Sequence, residues 1–294
     1  MKKTVLIIFV VAMVAVLGVG LTACNNATPQ GQLANLLTDH NHETFVYDVV
    51  NTKDNSTGVY TVNLDAFNKD ATVEFGNRTL ENVQKGIRVQ GELVFGNTKY
   101  VMGCYYNLVS GTSFMTPAYS FRTVTVDGTQ TFSMQGRYVG GSFECERYIG
   151  EDTLLNSVKA SGTVFDNNQF QQVLRSVTTF GSGLTLSFTT PIASATTVTT
   201  ASLTANCSST AKIKDTGYTD SVEDLKEEGI DCYVVYISRA TEVKGMSQTL
   251  YYAVDNIKVQ GWSMKNVLVR IVEPFTSDGK RYDMVYSLKT ATLS

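Results

Sequence analysis

Apolar and polar residues alternate along most of the chain, and from Thr44 onward the period is two. That period marks strands with one buried and one wetted face. "TFVYDVV" and "GVYTVNL" open the series. "IRVQGELVFGNTKYVMGCYYNL" reads as a hairpin about Gly96-Asn97, and counting back from that turn sets Leu93 opposite Tyr100 and Val89 opposite Cys104. "YSFRTVTVDGTQTFSMQGRYV" repeats the form with Asp127-Gly128 at its tip. "RYVGGSFECERY" repeats it about Gly140-Gly141, a register that places Arg137 opposite Glu144 and Tyr138 opposite Phe143. Further strands are read in "GLTLSFTT", "TTVTTASLTANC", "DCYVVYISRA", "QTLYYAV", "IKVQGW", "NVLVRIV" and "YDMVYSLKTATL". The count is about 14, and the consecutive hairpins with short turns make an antiparallel meander.

Two stretches change period. In "DNNQFQQVLRSVTTF", Phe170, Val173, Leu174 and Val177 recur at helical offsets, which predicts a helix over 166–179 with Asp166 and Gln169 spaced as a capping box. "SVEDLKEEG" predicts a charged surface helix, capped by Ser221 and Asp224 and ended by Gly229. So many antiparallel strands twist and curl rather than lie flat. The expected fold is therefore mainly β: a large curled antiparallel sheet, a half-barrel, with one or two short helices covering its concave face. Phe170, Val173, Leu174 and Val177 would then form the lid of a ligand cavity.

The N-terminal segment follows different rules. Met1-Lys2-Lys3 is a short positive flank, and Thr4 to Gly20 are apolar and uncharged, the layout of a secretory signal. The run is at the short end of what spans a bilayer. It leads into Leu21-Thr22-Ala23-Cys24, which resembles the lipobox of bacterial lipoproteins. The resemblance implies cleavage between Ala23 and Cys24 and a diacylglycerol on the Cys24 thiol. Two or more acyl chains anchor a protein stably where one does not. The chain is accordingly divided into a signal peptide at 1–23, a lipidated flexible tether at 24–43 containing "NNATPQGQ", and a single antiparallel β-domain at 44–294. The implied location is the cell envelope, on the outer side of the cytoplasmic membrane or in the outer membrane.

Composition narrows the chemistry. The net charge of −3 becomes −5 once Lys2 and Lys3 leave with the signal, and that mild acidity excludes nucleic acid as a partner. Four cysteines follow Cys24 and none has the spacing of a zinc or redox motif. Cys207 and Cys232 are candidate disulfide partners, with buried free thiols as the equal alternative. His40 and His42 are the only histidines and read as a solvated pair in the tether rather than metal ligands. The β-domain thus lacks a histidine base for serine or cysteine nucleophiles. Ser209-Thr210-Ala211-Lys212 matches S-x-x-K, but no K-T-G or S-D-N follows it. Glu144 and Glu146 share a strand face as a glycosidase pair would, yet Arg137 already stands opposite Glu144 as an ion-pair partner. Tyr105-Tyr106, Tyr251-Tyr252 and Trp262 read as core and rim packing, with a sugar platform as the alternative. No catalytic residue, metal or cofactor is expected.

The lipobox, the three hairpins and the helix bearing Phe170 to Val177 together resemble the lipoprotein-carrier superfamily, which includes the LolA and LolB carriers and the LppX-type lipoproteins. The resemblance spans about 44–294 and implies a half-barrel that holds acyl chains against its concave face. Only Cys24 carries over as a functional residue. The expected function is a membrane-anchored lipoprotein binding a lipid or other apolar ligand. The alternative is a structural or adhesive surface protein that binds a protein or glycan. Oligomeric state is not read from the sequence.

Overall fold

The computed structural model describes residues 33–34, 37, 40–110, 114–177, 181–214, 229–239, 248–259 and 262–294. One sheet runs from edge to edge as β11 (Asp152–Lys159), β10 (Ser142–Ile149), β9 (Thr129–Val139), β8 (Phe114–Val126), β7 (Thr98–Leu108), β6 (Gly86–Phe95), β3 (Thr57–Phe67), β2 (His42–Asn51), β19 (Lys280–Leu293), β18 (Leu268–Ser277), β15 (Gln248–Ala253), β14 (Ile230–Arg239), β13 (Val198–Ile213) and β12 (Thr185–Ala193). β1 (Leu33–Ala34) adds to β8 beside this path. Two meanders thus meet where β2 pairs with β19, with Val50 facing Val285.

The short turns set the registers. Gly96, Asp127, Gly128, Gly140 and Gly141 all have positive φ, the backbone that two-residue hairpins require. Leu93 faces Tyr100, Val89 faces Cys104, Arg137 faces Glu144 and Tyr138 faces Phe143, as the turn positions predict. In β2 the alternation is nearly complete, with Phe45, Tyr47 and Val49 fully buried.

The half-barrel expected from the sequence is a nearly closed barrel. Thr163 to Phe165 lie along β12 through a parallel bridge between Val164 and Thr189; the Phe165 amide donates to Thr189 O at 3.1 Å, and the Thr189 amide to Thr163 O at 2.8 Å. Arg147 of β10 reaches across the seam, donating to Ser194 O at 2.5 Å and to Asn156 Oδ1 at 2.7 Å. Phe132, Met134, Phe143 and Cys145 pack there with Ala160 and Ala193. Covering the edge strand in this way satisfies backbone groups that would otherwise template aggregation.

The helix predicted over 166–179 is corrected to a four-residue α1 (Phe170–Val173) and a 3-10 turn at Leu174–Ser176. Gln169 has φ −141°, outside helical space, and no side chain caps the helix. Asp166 instead accepts from the Asn168 amide at 2.9 Å in a local turn. Residues 165–177 form a plug rather than a lid. Phe165, Val173 and Leu174 are fully buried within the main core, and so are the polar side chains of Gln169 and Gln172. The segment is surrounded by barrel wall on its polar side too, so its periodicity no longer sorts core from solvent.

Other expectations change as well. "IKVQGW" is a hairpin, β16 (Ile257–Val259) and β17 (Trp262–Met264), rather than one strand. β11 and the hairpin of β4 (Val73–Phe75) and β5 (Arg78–Leu80) carried no clear alternation and were not read. The described part of the expected tether joins the barrel, since Leu33 pairs with Met115, Leu37 is buried and His42 belongs to β2. Cys104, Cys145, Cys207 and Cys232 are buried free thiols. Cys207 faces Val235 and Cys232 faces Ala211, so the two side chains stand out of register and no Cys207–Cys232 disulfide forms. The signal segment, Ala23, Cys24, the second helix with Ser221 and Asp224, and the Trp262 side chain lie outside the described residues.

Candidate functional site

The plug is tied to the barrel wall by hydrogen bonds from both sides. Gln172 Nε2 donates to Tyr47 Oη at 2.9 Å, and that hydroxyl donates to Leu268 O at 2.9 Å. Tyr252 Oη donates to Gln171 O at 2.6 Å, and Asn168 Nδ2 donates to Ser120 Oγ at 3.0 Å. Gln169 Nε2 donates to Met102 O at 3.2 Å. Gly91 makes room for this contact: a Cβ there would stand 2.6 Å from Tyr60 Oη and 2.9 Å from Gln169 Nε2. At the far end, Arg175 donates to Glu43 Oε2 at 2.6 Å and stacks over Phe45 at 5.0 Å from the ring centroid.

Above the plug the barrel stays open. A cavity of about 560 Å³ lies between β3, β6, β7 and β8 on one wall and β18 and β19 on the other. Its walls combine Leu93, Phe95, Met102, Ile271, Phe275 and Met284 with Thr98, Arg122, Gln248 and Glu273, and Asn168, Phe170 and Gln171 form its floor. The hairpin registers fix which side chains face inward. Met102 pairs with Arg122 and Arg122 with Met134, so the Arg122 guanidinium stands on the inner face. Opposite, Glu273 pairs with Met284, and Ile271 pairs with Tyr286.

Arg122 and Glu273 dominate the electrostatics. Glu273 Oε1 accepts from Gln248 Nε2 at 2.7 Å, and Oε2 accepts from Tyr286 Oη at 3.0 Å. Burial pushes the Glu273 carboxyl above its ordinary range, against the opposing pull of Tyr286 and Arg122. Burial, and then the Glu273 charge, push the Tyr286 phenol up as well. Arg122 is pulled down by burial, with Tyr100, Asp166 and Glu273 acting against that effect. Its Nε is sealed from solvent with no hydrogen-bond partner. Behind it, Asp166 accepts from Tyr138 Oη at 2.7 Å, and burial raises its carboxyl.

Of the four expected lid residues, only Phe170 lines the cavity; Val173, Leu174 and Val177 are buried in the core. Arg122 and Glu273 were not among the expected site residues. For Arg122 the turns gave no signal: β7 and β8 are not joined by a two-residue turn, and a register shift between Val124 and Thr125 interrupts the count from Asp127-Gly128.

The rejected motifs sit apart from this cavity. Glu144 pairs with Arg137 at 2.6 Å and Glu146 with Arg78 at 2.5 Å, both on the outer face beside the β4–β5 hairpin. A second opening of about 600 Å³ lies there, lined by those paired charges and by the apolar side chains of Phe75, Leu80 and Leu155. Ser209 and Lys212 lie within β13, with Lys212 paired to Asp231 at 3.7 Å. His40 and His42 meet carboxylates, Glu43 at 2.8 Å and Asp65 at 2.5 Å, instead of standing free in a linker. Among the described residues no three potential metal ligands cluster. Tyr105 and Tyr106 are both fully buried, one under the β4–β5 hairpin and one in the main core.

No family model matches the chain, and no curated protein matches it. Among solved structures it is similar to a β-barrel-like protein of a domain of unknown function from Brucella abortus, at 10% identity and TM-score 0.49, covering 87% of this chain and 99% of that one. It is also matched to a candidate lipoprotein from Parabacteroides distasonis, at 10% identity and TM-score 0.26, covering 88% of this chain and 99% of that one. Likeness at this level transfers no function.

Proposed function

We propose that this protein is a lipid-anchored extracytoplasmic barrel that takes a chain-like apolar ligand into the cavity above α1. The observation that carries the reading is that space inside the barrel, about 560 Å³ with an apolar wall of Leu93, Phe95, Met102, Ile271 and Phe275 beside the polar groups of Arg122, Gln248 and Glu273, inside the ~300–1,000 Å³ range of small-molecule sites. With a methylene taken as ~30 Å³, the volume of a water in the liquid, 560 Å³ holds roughly 19 such groups, enough for one long acyl chain. The plug fills the rest of the concave face, so the site is a pocket at one end and not an open trough. Anchoring rests on Leu21-Thr22-Ala23-Cys24.

Native mass spectrometry of the mature chain carrying Cys24→Ser tests the ligand. A bound mass that organic extraction releases as lipid supports the reading. A clean mass, unchanged after incubation with membrane lipids, refutes it and favours a surface that binds a protein or glycan. Metabolic labelling with palmitate tests the anchor: wild type takes the label and Cys24→Ser does not.

A further inference from the structure

On the reading that the cavity holds one acyl chain, we propose that the chain ends in an acidic head, a carboxylate or a phosphate monoester, and that Arg122 receives it. The argument is a contrast among arginines on the inner face. Arg147 donates to Ser194 O and Asn156 Oδ1. Arg175 is paired with Glu43. A sealed, unpartnered Nε is common to Arg122, Arg147, Arg175 and Arg239, and Arg239 like Arg122 makes no hydrogen bond and no ion pair among the described residues; Arg122 is the one of the four that lines the cavity. A guanidinium keeps its charge at any physiological pH, and a ligand that displaces solvent from its Nη atoms leaves that charge costly unless the ligand itself satisfies it.

The two neighbouring carboxyls do not serve. Glu273 is held by Gln248 and Tyr286, and Asp166 by Tyr138 and the Asn168 amide. Tyr60 and Tyr100 line the same space, and their hydroxyls are further donors for the oxygens of such a head. An uncharged head would leave the guanidinium unsatisfied. A planar fork that bonds carboxylate or phosphate with two parallel N–H groups is what arginine supplies and lysine does not.

The test is isothermal titration of the mature Cys24→Ser chain with dodecanoate, dodecyl phosphate and dodecanol at neutral pH. At least one acid binds tenfold or more tightly than the alcohol, and the tighter acid identifies the head. Arg122→Met brings the acids down to the affinity of dodecanol and leaves dodecanol unchanged. Arg122→Lys recovers part of the preference and serves as the test should the methionine variant fail to fold. Equal binding of acids and alcohol by wild type overturns the inference while leaving an apolar ligand site standing. Unchanged acid preference in the folded variants overturns the role of Arg122. Binding of none of the three overturns this inference together with the cavity reading.

Discussion

The Arg175–Glu43 pair is the clearest place to test whether the plug is part of the fold or an insert resting in it. The two side chains are 3% and 1% exposed and meet at 2.6 Å. Arg175 Nη2 also donates to Lys265 O at 3.4 Å, and His40 meets the other Glu43 oxygen at 2.8 Å. Arg175→Met keeps most of the side-chain volume but leaves a carboxylate buried without its cation. Breaking one half of a buried pair costs about 3–5 kcal/mol. In a domain of this size each kcal/mol moves the melting temperature by roughly 2–4 °C, so the loss is roughly 6–20 °C. Glu43→Leu should lose a similar amount, because Arg175 is then the orphan. The double variant restores neutrality and should lose less than the two singles together, with a coupling of about 3 kcal/mol in the cycle. Urea unfolding followed by circular dichroism supplies the three free-energy differences. A loss below about 1 kcal/mol in Arg175→Met, or strict additivity in the double variant, would show that the plug is not held by this pair.

Two further outcomes follow from the interior chemistry. Glu273 titrates above its ordinary value of 4.5 in the folded chain, so between those two values the native state binds more protons than the unfolded one and stability falls as pH rises. Glu273→Gln removes that penalty: its melting temperature exceeds wild type at pH 8, the gap closes by pH 4, and a gap independent of pH would contradict the assignment. The four thiols, Cys104, Cys145, Cys207 and Cys232, are buried and free, and burial raises each of them. In the Cys24→Ser background, Ellman's reagent therefore detects no fast thiol in the native protein and four after unfolding without reductant; fewer than four would indicate a disulfide.

Much of the sheet was legible because its information is local. Asp127-Gly128 and Gly140-Gly141 select tight hairpins, and a two-residue turn fixes the pairs that follow it until a bulge intervenes, as one does between Val124 and Thr125. That is why Arg137 could be placed opposite Glu144 and Glu144 removed from the list of catalytic groups before any coordinates. The plug was legible only in part. Phe170, Val173, Leu174 and Val177 were read as the lid of a ligand cavity; all four are buried, and their spacing could not reveal that Gln169, Gln172 and Arg175 would be buried too. Periodicity assumes that polar residues face water. Here the barrel wall supplies Tyr47, Met102 O and Glu43 as substitutes for it.

By itself, the sequence determined most of the strands, the pairs beside the tight turns, and the apolar run at 4–20 that ends near Cys24. Each depends on residues adjacent in the chain or one short turn apart. The tertiary structure alone decided that the sheet nearly closes, that residues 165–177 run through its interior, and that Arg122 of β8 and Glu273 of β18 share one cavity. Those outcomes depend on contacts between residues far apart in the chain, such as Arg175 and Glu43 at 132 positions or Tyr47 and Leu268 at 221. Neither periodicity nor turn chemistry constrains such pairs. The twist summed over many strands and the filling of the enclosed volume do.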